Sequence, residues 1–97
     1  MSLSKTKSSF YRRLYVAHLI EQGVASVPAL MEAAGMPRRT AQDTITSLGE
    51  LDIECVFEKG DGERHNIGHY TIKQWGAIDP HWVASNAERL GQALGYR

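Results

Sequence analysis

Gly35-Met36-Pro37 sets the plan of this 97-residue chain. A glycine followed two residues on by a proline does not sit inside a helix, because one loosens the backbone and the other lacks an N–H to donate. The residues on both sides are helical in pattern. Upstream, Ser26 is a suitable N-cap and Pro28 fits a first turn, where its missing N–H does no harm. Leu30, Met31, Ala33 and Ala34 supply small and medium apolar contacts. Gly35 suits the left-handed position that closes such a helix, and Met36 is the apolar residue that follows it. Downstream, Pro37 fits a first helical position. Ala41, Ile45 and Leu48 recur at i, i+4 and i+7 and form one apolar face, extended to Leu51. A helix is therefore predicted from 37 to about 51. Gly49 weakens its last turn by roughly 1 kcal/mol relative to alanine. Arg38, Arg39, Gln42, Asp43 and Thr46 fall off the apolar face.

The remaining segments arrange themselves around this pair of short helices. Residues 1–8 are polar and basic without periodicity and read as a flexible arm. A first helix starts with Ser8 or Ser9 as its cap and runs to about Gln22, with Gly23 ending it. Phe10, Leu14, Ala17 and Ile20 mark its stripe, and Tyr11, Tyr15, Val16 and Leu19 widen it. A helix so broadly apolar belongs at the centre of a core or at a shared interface. Residues 53–59 alternate, with Ile53, Cys55 and Phe57 on one face and Glu54 and Glu58 on the other. Gly60-Asp61-Gly62 signals a turn. Residues 67–73 form the return strand, with Tyr70 and Ile72 sharing a face, so 60–66 is the loop of a hairpin. Trp75 and Ile78 pin an irregular segment to the core. Asp79 and Pro80 then start a last helix, 81–94, striped by Val83, Ala87, Leu90 and Leu94 with Trp82 beside them, and Gly95 ends it. The result is one α+β domain over residues 1–97.

Charge limits what such a domain can do. Eleven Lys and Arg balance eleven Asp and Glu. A strongly basic surface held to nucleic acid by counterion release alone is thereby excluded. The distribution is uneven. Residues 1–25 carry Lys5, Lys7, Arg12 and Arg13 against Glu21, a net of +3, whereas residues 52–75 carry five acids against three cations, a net of −2. A basic surface must be built from the N-terminal segment and the Arg38-Arg39 pair. Cys55 is the single cysteine, so no intrachain disulfide forms. No apolar run reaches the ~18 residues of a membrane span, and no signal-peptide core is visible. The expected location is the cytoplasm.

Catalytic and metal chemistry find no support. G-x-S-x-G, H-E-x-x-H and phosphate-binding glycine loops are absent. His65 and His69 are four apart, and Cys55 is on the facing strand, but a closed zinc site requires four ligands. The sequence therefore predicts no enzyme, no metal and no cofactor, and it gives Cys55 the role of a small core residue.

The order helix, helix, turn, helix, hairpin, helix resembles a winged helix-turn-helix domain. The resemblance rests on Pro28–Ala34, the Gly35-Met36-Pro37 turn, the run Arg38-Arg39-Thr40-Ala41-Gln42-Asp43-Thr44-Ile45-Thr46-Ser47-Leu48, and a wing ending in Gly68-His69-Tyr70-Thr71-Ile72. It spans about Phe10 to Trp82. The chain is also similar to a family of small uncharacterised bacterial proteins regarded as winged-helix DNA binders. Reader helices in many bacterial regulators begin R-x-T followed by a small apolar residue, after a serine or threonine cap. Here Met36-Pro37 stands in the place of that cap.

The resemblance implies sequence-specific binding of double-stranded DNA by a transcriptional regulator, with residues 37–51 as the recognition helix. Arginine can bond guanine O6 and N7 together, and glutamine can do the same to adenine, at about 1–3 kcal/mol of discrimination per pair. Arg38, Arg39 and Gln42 have the required side chains, and Thr40, matched to the motif's threonine, contacts a phosphate. Thr46, Lys59 and Arg64 flank the groove, and the basic arm adds phosphate contacts. Outside this pattern the same arginines are ordinary surface charges. Asp43 lies four residues after Arg39 and can pair with it, orient it, or accept from a cytosine amino group. A reader helix covers few base pairs, so a homodimer through the last helix and the first is expected. The alternative is a winged-helix protein-interaction module that binds no DNA, which zero net charge and the acidic hairpin favour.

Overall fold

The computed structural model describes residues 3–59 and 68–96. Helix α1 (Lys5–Glu21) is followed by α2 (Val27–Ala34) and α3 (Arg38–Ser47), then a 3₁₀ turn (Leu48–Leu51). The antiparallel hairpin β1 (Glu54–Glu58) and β2 (His69–Gln74) comes next, and α4 (Pro80–Leu94) closes the chain.

The core forms around α1. Tyr11, Leu14, Tyr15, Val16, Ala17 and Ile20 are all buried on it. Such a wide apolar surface requires neighbours on several sides, and α3, α4 and β2 supply them. Leu30 and Ala34 from α2, Met36 from the turn, Ala41 and Leu48 from the third helical segment, Ile53, and Val83 and Leu90 from α4 complete the cluster. Gly91 is buried against the Tyr15 ring, where a larger residue on α4 would push the two helices apart.

Local signals place most of the element ends. Ser26 Oγ accepts from Ala29 N–H at 3.1 Å and starts α2. Gly35 ends α2 at φ 78°, a left-handed conformation that glycine adopts without a Cβ clash. Asp79 caps α4 by accepting from the His81 N–H at 2.9 Å, Pro80 follows as first helical residue, and Gly95 ends the helix.

Four details differ from the sequence expectations. The first helix begins at Lys5, not after Ser8. Ser4 Oγ accepts from Lys7 N–H, and Leu3 packs against the core, so Lys5–Ser8 belong to the helix, not to an arm. Pro37 is the N-cap of α3 rather than its first helical residue: its ψ of 155° is extended. The helix expected from 37 to about 51 is α-helical only to Ser47 and tightens into the 3₁₀ turn where Gly49 weakens it. Phe57 is turned outward, 52% exposed, although it alternates with Cys55. A register shift between Glu54 and Cys55 marks the base of the hairpin, and Phe57 instead packs edge-on against Tyr70, its cross-strand partner, at 5.0 Å.

The wing is fastened at its base. Tyr70 N–H donates to the Ala25 carbonyl at 2.9 Å, joining β2 to the loop before α2. Ala77 N–H reaches the Leu51 carbonyl at 3.3 Å. Gly76, at φ 60°, passes so close to the Asp52 main chain that a Cβ there would overlap it.

Candidate nucleic-acid interface

α2, the left-handed Gly35 and α3 form a helix-turn-helix, and α1 and the hairpin hold it in place. The apolar face of α3 is Ala41, Thr44 and Leu48, with Ile45 half-buried at its edge. Thr44 was not among the core positions expected from the apolar spacing. Its hydroxyl donates to the Thr40 carbonyl at 2.7 Å, which satisfies the polar atom and lets its methyl face inward. Polarity had masked it in an apolar count.

The opposite face is solvent. Arg38, Arg39, Gln42, Asp43 and Thr46 are all exposed there, and Thr40 is half-buried beside them. Arg39, with 92% of its side chain exposed, lies 3.8 Å from Asp43 across one helical turn. Thr46 Oγ1 donates to the Gln42 carbonyl at 3.0 Å, so its hydroxyl is turned toward the helix main chain. No side chain caps the start of α3. The first N–H groups of any helix lack intrahelical acceptors, and here they open beside Arg38 and Arg39.

The hairpin brings the flanking residues only partly into view. Lys59 is exposed just beyond β1. Arg64, with the rest of the 60–66 loop, lies outside the described residues. On β1, Glu58 is surrounded by donors: Lys73 Nζ at 2.8 Å, Thr71 Oγ1 at 3.0 Å and His69 Nε2 at 3.6 Å. The hydrogen bond from Lys73, then that from Thr71, holds the Glu58 carboxyl below the usual carboxylate range, and Lys73 is raised by the same contact. An acid of the acidic hairpin is thus neutralised within the wing.

Cys55 and His69 project from opposite faces of the hairpin, since Cys55 is paired with Ile72 and His69 with Glu58. They cannot share a metal. Among the described residues no three His, Cys, Asp or Glu side chains are arranged to hold one. Cys55 is half-buried, and desolvation raises its thiol pKa. No helix among the described residues is long and apolar enough to cross a membrane.

Sequence reasoning passed over one group of residues. Arg12 and Arg13, seen there only as part of the basic N-terminal segment, line a cleft between α1 and α3 together with Ser9, Asp43, Thr44 and Ser47. Two consecutive arginines between the aromatic pair Phe10-Tyr11 and the apolar run 14–17 were the available signal.

Comparison with known proteins agrees with this geometry. The structure is similar to that of a DUF2131 family protein from Shewanella amazonensis, with a TM-score of 0.90 and 40% identity, over 98% of this chain and 91% of that one. No curated protein matches the chain. The family model described as winged helix-turn helix matches residues 5–94, almost from the first turn of α1 to the last residue of α4. The chain belongs to the winged helix-turn-helix family.

Proposed function

We propose that this protein binds double-stranded DNA sequence-specifically and regulates transcription, with residues 37–51 as the recognition segment. The observation that carries the reading is the start of α3. Arg38, Arg39 and Gln42 are exposed on a helix with no side-chain cap, immediately after the helix-turn-helix bend. A reader helix meets base edges through its N-terminal residues. Arg38 and Arg39 have the donors for guanine and Gln42 those for adenine, while Thr40 and the open main-chain N–H groups suit a phosphate. Thr46 lies one turn further along, and Lys59 and Arg64 of the wing flank the groove on the backbone. The fold is one used for binding rather than catalysis, and we assign it no reaction.

A homodimer fits this role, because two reader helices cover two half-sites. Phe10 and Leu14 of α1 and Trp82 of α4, with Ala77 and Ile78, line an apolar cleft of about 220 Å³, and Trp82 is 42% exposed. A second copy of the chain is the proposed occupant. A monomeric mass by light scattering at high micromolar concentration would reject it. The proposed location is the bacterial cytoplasm, where the DNA is.

Fluorescence anisotropy with pooled random duplexes over a salt series tests the DNA reading. Affinity falls as salt rises, and Arg38→Ala/Arg39→Ala weakens binding by about tenfold or more. Binding indifferent to both changes rejects this surface. One observation favours a second reading: the net charge is zero and the hairpin region is acidic. If no duplex binds, the same surface is a protein-interaction face.

A further inference from the structure

The cleft between α1 and α3 contains two part-buried cations whose hydrogen-bond partners are neutral and whose nearby acids are exposed. Arg12 and Arg13 are consecutive, yet both line it. Arg12 Nη2 donates to Ser8 Oγ at 3.3 Å and its Nε to the Tyr96 hydroxyl at 3.2 Å. Tyr96 is itself held by stacking on Tyr15. Arg13 Nε donates to Ser47 Oγ at 2.9 Å, and Ser47 in turn donates to the Thr44 carbonyl at 2.9 Å. These three acceptors are neutral oxygens. They fix the direction of each guanidinium without cancelling its charge.

The acids nearby do little to cancel it. Glu50 approaches Arg13 at 3.8 Å and Asp43 lines the cleft's rim, where it pairs with Arg39 at 3.8 Å, but both carboxylates are largely in solvent and screened. Within α1 the only acid is Glu21, at the far end. Each guanidinium has five N–H donors, and these contacts use a minority of them. An oxyanion that accepts two N–H bonds satisfies a part-buried guanidinium better than water does. Lys5 and Ser9 precede Arg12 and Arg13 on the same side of the helix, because residues four and seven or eight apart are stacked there. From Lys5 to Arg13 the stripe is about 12 Å long at 1.5 Å per residue, enough to follow more than one phosphate.

We infer that the α1–α3 cleft is a clamp for the DNA backbone, in which Arg12 and Arg13 hold phosphate oxygens beside the groove that α3 enters. This rests on the DNA-binding reading and extends it to a helix outside the helix-turn-helix pair. The clamp supplies sequence-independent grip to a protein whose net charge is zero. It adjoins α3 through Asp43 and Ser47, so a duplex seated on Arg38 and Arg39 brings its backbone past the cleft.

The test compares wild type with Arg12→Gln/Arg13→Gln on several duplexes. The variant is expected to bind all of them about tenfold more weakly, with the same order of preference. Its log affinity against log salt loses about 1–2 from the slope, close to one per phosphate released. Unchanged affinity and slope overturn the clamp while leaving the DNA reading intact, whereas a wild type that binds no duplex overturns both. Ser9→Asp is the second variant, and it alone decides if the glutamines unfold the protein. A carboxylate in the cleft satisfies the arginines and leaves the melting temperature at or above wild type, but it repels a phosphate and lowers affinity. Binding by Ser9→Asp equal to wild type overturns the clamp.

Discussion

Arg39 Nε lies 3.8 Å from Asp43 Oδ2, and both side chains extend into solvent from the outer face of α3. An exposed pair in this order along a helix adds at most about 0.5 kcal/mol to stability. Near a phosphate backbone the carboxylate is instead a repulsive charge. Asp43→Asn is expected to leave the urea midpoint almost unchanged and to raise affinity for all duplexes about threefold at low salt. A loss of affinity confined to one base pair would show instead that Asp43 accepts from a cytosine amino group.

Glu58 and Lys73 make the wing sensitive to acid. The carboxyl is held below its ordinary value by Lys73 and Thr71. A depressed folded-state value gives a stabilising contribution that is present above the unfolded-state pKa and is lost as pH falls through the folded one. Lys73 is raised, so its share is present below its unfolded-state pKa and is lost as pH rises through the folded value. In an NMR titration of side-chain carboxyl carbons, Glu58 is expected to titrate below the usual carboxylate range. Lys73→Met should return it toward that range, and a midpoint that ignores this change would rule the pair out.

One substitution has opposite signs at two glycines. A Cβ at Gly76 overlaps the Asp52 main chain, and its φ is +60°, so Gly76→Ala is expected to cost about 2–3 kcal/mol. Gly49 has a conformation open to other residues and empty space where a Cβ would go. Gly49→Ala is expected to stabilise by about 0.5–1 kcal/mol. Urea denaturation of both variants checks the contrast.

The cap of α2 lies outside the proposed contact residues and separates folding from binding. Ser26→Ala removes an acceptor from the helix start and is expected to cost about 1 kcal/mol. Its DNA affinity, measured below the melting transition, should equal that of wild type. A loss of affinity would tie α2 directly to the duplex.

Element ends were legible where one residue type has one job. Gly35 and Gly95 take up left-handed conformations, and Ser26 and Asp79 cap, because few other residues suit those positions. The start of α1 was ambiguous because Ser4, Ser8 and Ser9 have the same capping chemistry. The apolar pattern that might have chosen between them is absent from Lys5–Ser9. Thr44 and Phe57 were misplaced for opposite reasons. A threonine can be buried if its hydroxyl bonds its own helix. A phenylalanine can be exposed if the strand carries it past the core and its ring packs edge-on against a cross-strand tyrosine. The candidate interface was visible as exposed polar residues on α3. The α1 cleft was not, since its unity depends on Arg13 meeting Ser47 from a helix 34 residues away.

The bond from Tyr70 N–H to the Ala25 carbonyl is made entirely by main chain. An alanine scan passes over such a joint without a trace, because every residue but proline donates the same N–H at position 70. Both residues also pack against the core, yet the joint between the hairpin and the loop before α2 survives any change there that keeps the N–H at position 70. Two members of this family can thus diverge in what they recognise and still present it at the same angle.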